Sequence, residues 1–249
     1  MVGTLSFLFA CLYVSLSLWV RCMVRRPWPR DEQADAPLVS IIIAGRNEAE
    51  ELPGCLESLM QLQYPTEKLE ILLVDDGSHD GTLALLQAFA EGKQHVTVLA
   101  LERQAKELSG KAGAVLQAIE KSSGEYLFIT DADCRVPPRW IETHLTYFTA
   151  EVGMVGGLTL LHRRHSDTSW LDRVQSLDWL FLQIISSACA HTGKPLSWMG
   201  NNMAFRRLAY DEVGGYRKLN YSLIEDFSLL NAISRKTSWR VVLHTDQAA

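Results

Sequence analysis

Between residues 38 and 130 the chain repeats one pattern four times: a short apolar run, a polar turn, and a segment with helical spacing. The apolar runs cover 38–44, 69–74, 96–101 and 125–130, and three of them are rich in Val, Ile or Leu. Apolar residues at successive positions, instead of alternate ones, mark strands covered on both faces, as in a parallel sheet flanked by helices. The intervening helices are expected at about 50–62, 81–91, 111–121 and 138–148, with right-handed crossovers between the strands. The pattern predicts an α/β, Rossmann-like and mainly parallel sheet.

Beyond 150 the repeat loosens. A further strand is expected over 152–161, then an amphipathic helix over 170–190. That helix could lie on a membrane or on the sheet, and burial of its aromatic residues in the core is the favoured expectation. A loop around Gly200-Asn201-Asn202, a helix from about Arg207, a stop at Gly214-Gly215, a helix over 225–235 and a closing strand near 241–246 complete the expected order.

The first 24 residues follow a different rule. From Val2 to Met23 the chain is apolar apart from small hydroxyl residues and Arg21, and Arg25, Arg26 and Arg30 follow. About 20 such residues span a bilayer. No Lys or Arg precedes the run and no small-x-small site follows it, which favours an anchor over a cleaved signal peptide. Arginines on its C-terminal side place the rest of the chain in the cytoplasm by the positive-inside rule. The expected organisation is a membrane helix over 1–24, a linker over 25–37, and one domain over 38–249 that divides into halves at 135/136.

Composition narrows the function. Of the 249 residues 47% are hydrophobic and 21% charged, enough for a substantial core, and the net charge of −5 argues against nucleic acid as a partner. The five cysteines, at 11, 22, 55, 134 and 189, lack Cys-x-x-Cys spacing and read as reduced thiols.

Candidate chemistry gathers where strands end, the usual place for ligands in an open parallel sheet. Asp131 and Asp133 bracket Ala132 after the fourth run and could share a hard divalent cation with the oxygens of a diphosphate. Gly45-Arg46-Asn47-Glu48 follows the first run and Asp75-Asp76-Gly77-Ser78 the second. Carboxylates there could accept the imide hydrogen of uracil or ribose hydroxyls, while Asp80 or Ser78 could instead cap the next helix. Lys111 stands at a helix start behind Gly110, without P-loop spacing, and could meet a phosphate or simply solvent. Glu225-Asp226 opens a helix about ninety residues after the acidic pair, where it could cap or act as a general base.

Five segments in order carry a resemblance: Val39-Ser-Ile-Ile-Ile-Ala-Gly-Arg-Asn-Glu48, Leu73-Val-Asp-Asp-Gly-Ser78, Ser109-Gly-Lys-Ala-Gly-Ala114, Thr130-Asp-Ala-Asp133 and Ile224-Glu-Asp226. Their order and spacing resemble the inverting family 2 glycosyltransferases. The resemblance implies a GT-A fold whose first half binds a nucleotide-sugar and whose second binds an acceptor. It implies a UDP-sugar donor, less often a GDP- or dTDP-sugar, and a glycan or lipid-linked acceptor in envelope polysaccharide or glycolipid synthesis. Ala44, Arg46 and Glu48 would line the nucleoside pocket, Asp75 and Asp76 the base position, and Lys111 the nucleotide. Asp131 and Asp133 would hold Mg or Mn with the diphosphate. Asp226 would be the catalytic base, with Glu225 beside it, and Gly200, Asn201 and Asn202 would shape the acceptor side.

Many membrane members of that family carry Gln-x-x-Arg-Trp soon after the Glu-Asp element, followed by more membrane helices. Neither is found before Ala249, so a truncated reading frame or a fragment is expected. An inactive donor-binding subunit is the non-enzyme alternative. A nucleotidyltransferase is a lesser one, because 44–48 lacks the Gly-rich phosphate loop of that class.

Overall fold

The computed structural model describes residues 2–31, 35–101, 110–161, 169–219 and 225–246. Its strands are β1 (Val39–Gly45), β2 (Leu69–Asp75), β3 (Val96–Ala100), β4 (Tyr126–Asp131), β5 (Val152–Gly156), β6 (Met203–Arg206) and β7 (Arg240–Leu243). They form one sheet in the order β3-β2-β1-β4-β6-β5-β7. β6 is antiparallel to both neighbours, and the remaining pairs are parallel.

The helices are α1 (Val2–Arg25), α2 (Leu52–Met60), α3 (Thr82–Ala90), α4 (Gly110–Lys121), α5 (Trp140–Thr146), α6 (Trp170–Ala190), α7 (Arg207–Glu212), α8 (Gly215–Lys218) and α9 (Glu225–Lys236). From β1 to β3 the chain steps outward, and right-handed crossovers keep α2 and α3 on one face. The return from β3 to β4 passes back over β1, so α4 covers the opposite face. Two cores result. Ile41, Ile43, Ile71, Leu73 and Phe128 pack with α2 and with Trp140 and Leu145 of α5. Ile42, Leu72, Leu127 and Ile129 pack with α4 and with Leu229, Leu230 and Ile233 of α9. Every residue from Val39 to Ala44 is buried, which explains the unbroken apolar run of β1. Full burial of each Ile there contributes about 1.5–3 kcal/mol. The order in which strands are added switches from one side of β1 to the other between β1 and β4, and a crevice opens at the carboxyl ends of these two parallel strands.

Several expectations are corrected. β3 is an edge strand with Thr97 and Ala100 exposed, not a strand covered on both faces. The strand expected over 152–161 ends at Gly156, and β6 occupies Met203–Arg206, between the expected loop and the expected helix, where no strand was expected. The helix α6 is not a core helix: Trp170, Leu171, Val174, Leu177, Phe181 and Leu182 are all exposed. The segment read as a linker is tied to the domain. Trp28 donates to the Leu243 carbonyl at 3.2 Å, Arg30 donates to the Tyr147 hydroxyl at 2.6 Å, and the Asp31 amide donates to the Thr146 carbonyl at 2.7 Å. Within α1, Thr4–Arg25 is long and apolar enough to cross a membrane.

Candidate active site

Strand register brings the candidate residues together. Gly45 pairs with Asp75 and Ala44 with Asp131, so the loops after β1, β2 and β4 leave the sheet side by side. They enclose an open cleft of about 310 Å³, lined by Arg46, Glu48, Asp76, Lys111, Asp131 and Asp133 over a floor of Ala44, Gly45, Ala114 and Ala132. The floor has to be this shallow. A Cβ on Gly45 would lie 2.9 Å from the Ala132 Cβ and 3.0 Å from the Glu48 Cγ.

The first two loops are stitched to each other. The Asn47 amide donates to Ser78 Oγ at 2.9 Å, and the His79 amide donates to Asn47 Oδ1 at 2.9 Å. The Glu48 amide donates to Thr82 Oγ1 at 2.8 Å. Asn47 has a φ of 57°, a left-handed conformation that Asn tolerates better than most residues. The sequence singles out Asn47 only as part of the segment 45–48, without a role of its own; the signal for one is an Asn in a loop that must turn sharply after a strand. Asp80 accepts from the Thr82 amide and hydroxyl and from the Ala49 amide, so it fills the capping role. These bonds hold its carboxyl below the usual range. Asp76 lines the cleft. Asp75 does not: it is buried, its Oδ2 accepts from the Ser78 amide at 3.2 Å, and its Oδ1 has no hydrogen-bond partner.

The turn after β4 is held by its own backbone and by two thiols. The Cys134 amide donates to the Asp131 carbonyl at 3.1 Å, Cys55 Sγ donates to the same carbonyl at 3.6 Å, and Cys134 Sγ donates to Asp133 Oδ1 at 3.4 Å. Burial, together with the neighbouring carboxylates, pushes both thiols up to about 12, which makes them inert. Lys111, in the first turn of α4, is ion-paired with Asp131 Oδ1.

The acidic groups feel one another. Burial, then the charges of Asp133 and Asp131, raise the carboxyl of Glu48 above its ordinary value. A divalent cation at Asp131 and Asp133 would relieve that repulsion, and oxygen donors suit Mg or Mn. Among the described residues no group of three or more His, Cys, Asp or Glu is arranged to hold an ion alone. Such an ion would complete its shell with diphosphate oxygens and water, as Mg commonly does. The unpartnered Arg46 Nε, also buried, points to a ligand group in the same cleft.

A second group reaches the same edge of the sheet. β6 runs antiparallel to β4, with Met203 opposite Ile129, so residues 200–202 lie beyond the carboxyl end of β4. A Cβ on Gly200 would lie 2.2 Å from Asp226 Oδ2 and 2.4 Å from its Cγ, so the Asp226 carboxylate rests directly on Gly200. Asn202 is buried: its Oδ1 accepts from Trp140 Nε1 at 2.8 Å and its Nδ2 donates to the Leu158 carbonyl at 3.1 Å. Asn201 Oδ1 accepts from Thr159 Oγ1 at 2.9 Å. Asn202 therefore acts by positioning the loop. Glu225 opens α9, and its side chain lies outside the described residues. Gly200, Asn201, Asn202 and Asp226 are not among the residues lining the cleft.

Residues 40–214 match the family model of glycosyl transferase family 2. The chain belongs to glycosyltransferase family 2. Relatives within it include a glycosyltransferase AglE of Haloferax volcanii, 35% identical over 49% of this chain and 39% of its own length. A beta-monoglucosyldiacylglycerol synthase of Trichormus variabilis is 29% identical over 78% of this chain and 41% of its own. The chain thus spans about two fifths of the length of these curated relatives. A mannosyltransferase of Pyrobaculum calidifontis, solved in complex with GDP-Man and Mn2+, superposes with a TM-score of 0.73 at 22% identity, covering 97% of this chain and 65% of that one. TarS of S. aureus, solved with UDP-GlcNAc, superposes with a TM-score of 0.54 at 17% identity over 84% of this chain and 56% of its own. The shared fold is GT-A, as the five sequence segments imply.

Proposed function

We propose that this family 2 domain transfers a sugar, with inversion, from a nucleotide-diphosphate sugar to a hydroxyl of a glycan or lipid-linked acceptor. The observation that carries the reading is the arrangement at one sheet edge. Six polar side chains line a cleft at the ends of β1, β2 and β4, and a carboxylate seated on Gly200 stands at the same edge. Arg46, Glu48 and Asp76 would hold the nucleoside, with Asp75 supporting the base position from beneath, and Lys111 would face the diphosphate. Asp131 and Asp133 would hold Mg or Mn, whose chemistry is to neutralise negative charge on the departing diphosphate.

Asp226 takes the proton of the acceptor hydroxyl as that oxygen bonds to the anomeric carbon. The bond from that carbon to the diphosphate oxygen breaks, and its electron pair leaves with the nucleotide. No covalent sugar-enzyme intermediate is needed. Glu225 would stand beside the base, while Gly200, Asn201 and Asn202 shape the acceptor side. A UDP-sugar is the first donor to test and a GDP-sugar the second. We further propose that α1 anchors the domain to a membrane with residues 38–249 on the cytoplasmic side, since Arg25, Arg26 and Arg30 follow the span. Within that domain 38–135 is the donor half and 136–249 the acceptor half.

Calorimetric titration of UDP in the presence of Mn tests the donor site. Asp133→Ala should remove the Mn-dependent part of the affinity. Equal UDP affinity in parent and variant at saturating Mn would refute the assignment.

A further inference from the structure

We propose that the outward face of α6 lies in the surface of a lipid bilayer, as a second membrane contact beside α1. The helix starts firmly: Ser169 Oγ accepts from the Asp172 amide and Asp172 Oδ2 accepts from the Ser169 amide, a reciprocal cap. Its amphipathicity is then the reverse of what a water-soluble domain requires. At 3.6 residues per turn Trp170, Val174, Leu177 and Phe181 fall on one line, widened by Leu171 and Leu182. All six are half or more exposed, Trp170 at 71% and Leu177 at 67%. Asp178 is the one charge that interrupts the stripe. The side turned to the domain carries polar and small residues instead: Gln183, Ser186, Ser187, Ala188 and Ala190 are buried. Gln183 is buried and accepts from the Thr159 amide at 2.8 Å, and Ser187 Oγ donates to the Leu243 carbonyl.

What covers the stripe follows from its neighbour. α6 packs against α1. Among the described residues of α1, the partly buried ones are Trp19, Val20, Met23 and Val24, in its last two turns. Just beyond them Trp28 stacks on His191, with ring centroids 3.7 Å apart. The contact therefore falls at the polar end of the apolar span, next to Arg25 and Arg26, where lipid headgroups meet basic side chains. From there the exposed stripe runs over residues 170–182, about 20 Å of helix. A bilayer covers α1 and this stripe with one continuous apolar phase, and an amphipathic helix lying in the interface sinks its apolar face about 5–10 Å.

The surface also reaches the candidate site. Trp179 Nε1 and Gln183 Nε2 both donate to the Thr159 carbonyl, at 3.1 and 2.8 Å, and the Thr159 hydroxyl donates to Asn201, next to the Gly200 seat of Asp226. On the transferase reading, an acceptor held in the bilayer plane approaches from this side. The membrane surface itself does not depend on that reading.

Photocrosslinking in the full chain tests the surface without any need for activity. Benzoylphenylalanine is placed singly at positions 9, 91, 177 and 181, the protein is reconstituted in vesicles of phosphatidylethanolamine and phosphatidylglycerol, and adducts are weighed after illumination. Positions 177 and 181 should gain the mass of one phospholipid, as position 9 in α1 should, while position 91 gains none. Adducts at 177 and 181 to a second copy or another polypeptide would overturn the proposal, as would lipid labelling confined to position 9.

Discussion

Replacing Gly200 with alanine puts a methyl group where the Asp226 carboxylate now rests. The new Cβ would sit 2.2 Å from Oδ2 and 2.4 Å from Cγ, so the carboxylate has to retreat by about 1 Å to regain van der Waals contact. Asp226 is only partly buried, and its side chain can turn away without disturbing the core. The loss of stability should therefore stay within about 1 kcal/mol. Catalysis should suffer far more, because a misplacement of about 1 Å in a reacting group costs on the order of a hundredfold. The expected outcome for Gly200→Ala is a fall in kcat of about two orders of magnitude, with the donor KM changed less than about threefold. Initial rates of nucleotide release in the presence of acceptor read both constants, and a thermal melt reads stability. Parental kcat in a folded variant would refute the reasoning. A loss confined to donor KM would do so too, since it would assign Gly200 to the donor cleft.

Two further outcomes concern stability. Trp140→Phe removes the donor at 2.8 Å from Asn202 Oδ1 inside a fully buried cluster, at an expected cost of about 2–4 kcal/mol in denaturant unfolding; a cost below about 1 kcal/mol would show that this bond does not hold the loop. Burial lowers the His144 imidazole to about 4, so between about pH 6.5 and pH 4 the unfolded chain binds the proton that the folded chain refuses. Stability present above pH 6.5 is lost as pH falls through that window, by up to about 3 kcal/mol. Burial lowers His244 as well, in the same direction. Urea midpoints between pH 7 and pH 4.5 should fall more steeply for the parent than for His144→Phe, and parallel slopes would contradict the assignment.

The legible parts of the fold are those where one physical constraint acts over consecutive residues. Residues 39–44 are buried on both faces of β1 and so form an unbroken apolar run. The polar residues at the ends of β1, β2 and β4 stand out because apolar strands precede them. β6 was not legible. It is four residues long, and its place comes from pairing with β4 and β5, not from local periodicity. The stripe on α6 was visible as amphipathicity, yet periodicity states only that a helix has two faces. It does not say which one meets the domain, and here the face of polar and small residues does. The seating of Asp226 on Gly200 joins residues 26 positions apart across a tertiary contact, and the stitching of Asn47 to residues 78 and 79 needs two loops to meet. Neither leaves a trace in spacing.

The most direct test of the proposed transfer is release of nucleotide from a panel of UDP- and GDP-sugars by the membrane-embedded chain, with acceptor lipids present. Parallel reactions contain Mn or a chelator, and the Asp226→Asn variant is run beside the parent. The expected result is release with one donor, abolished by the chelator and reduced at least a thousandfold in Asp226→Asn while that variant still binds the nucleotide. Equal release by parent and variant would contradict the role of Asp226, and nucleotide binding without release from any donor would contradict transfer by this chain.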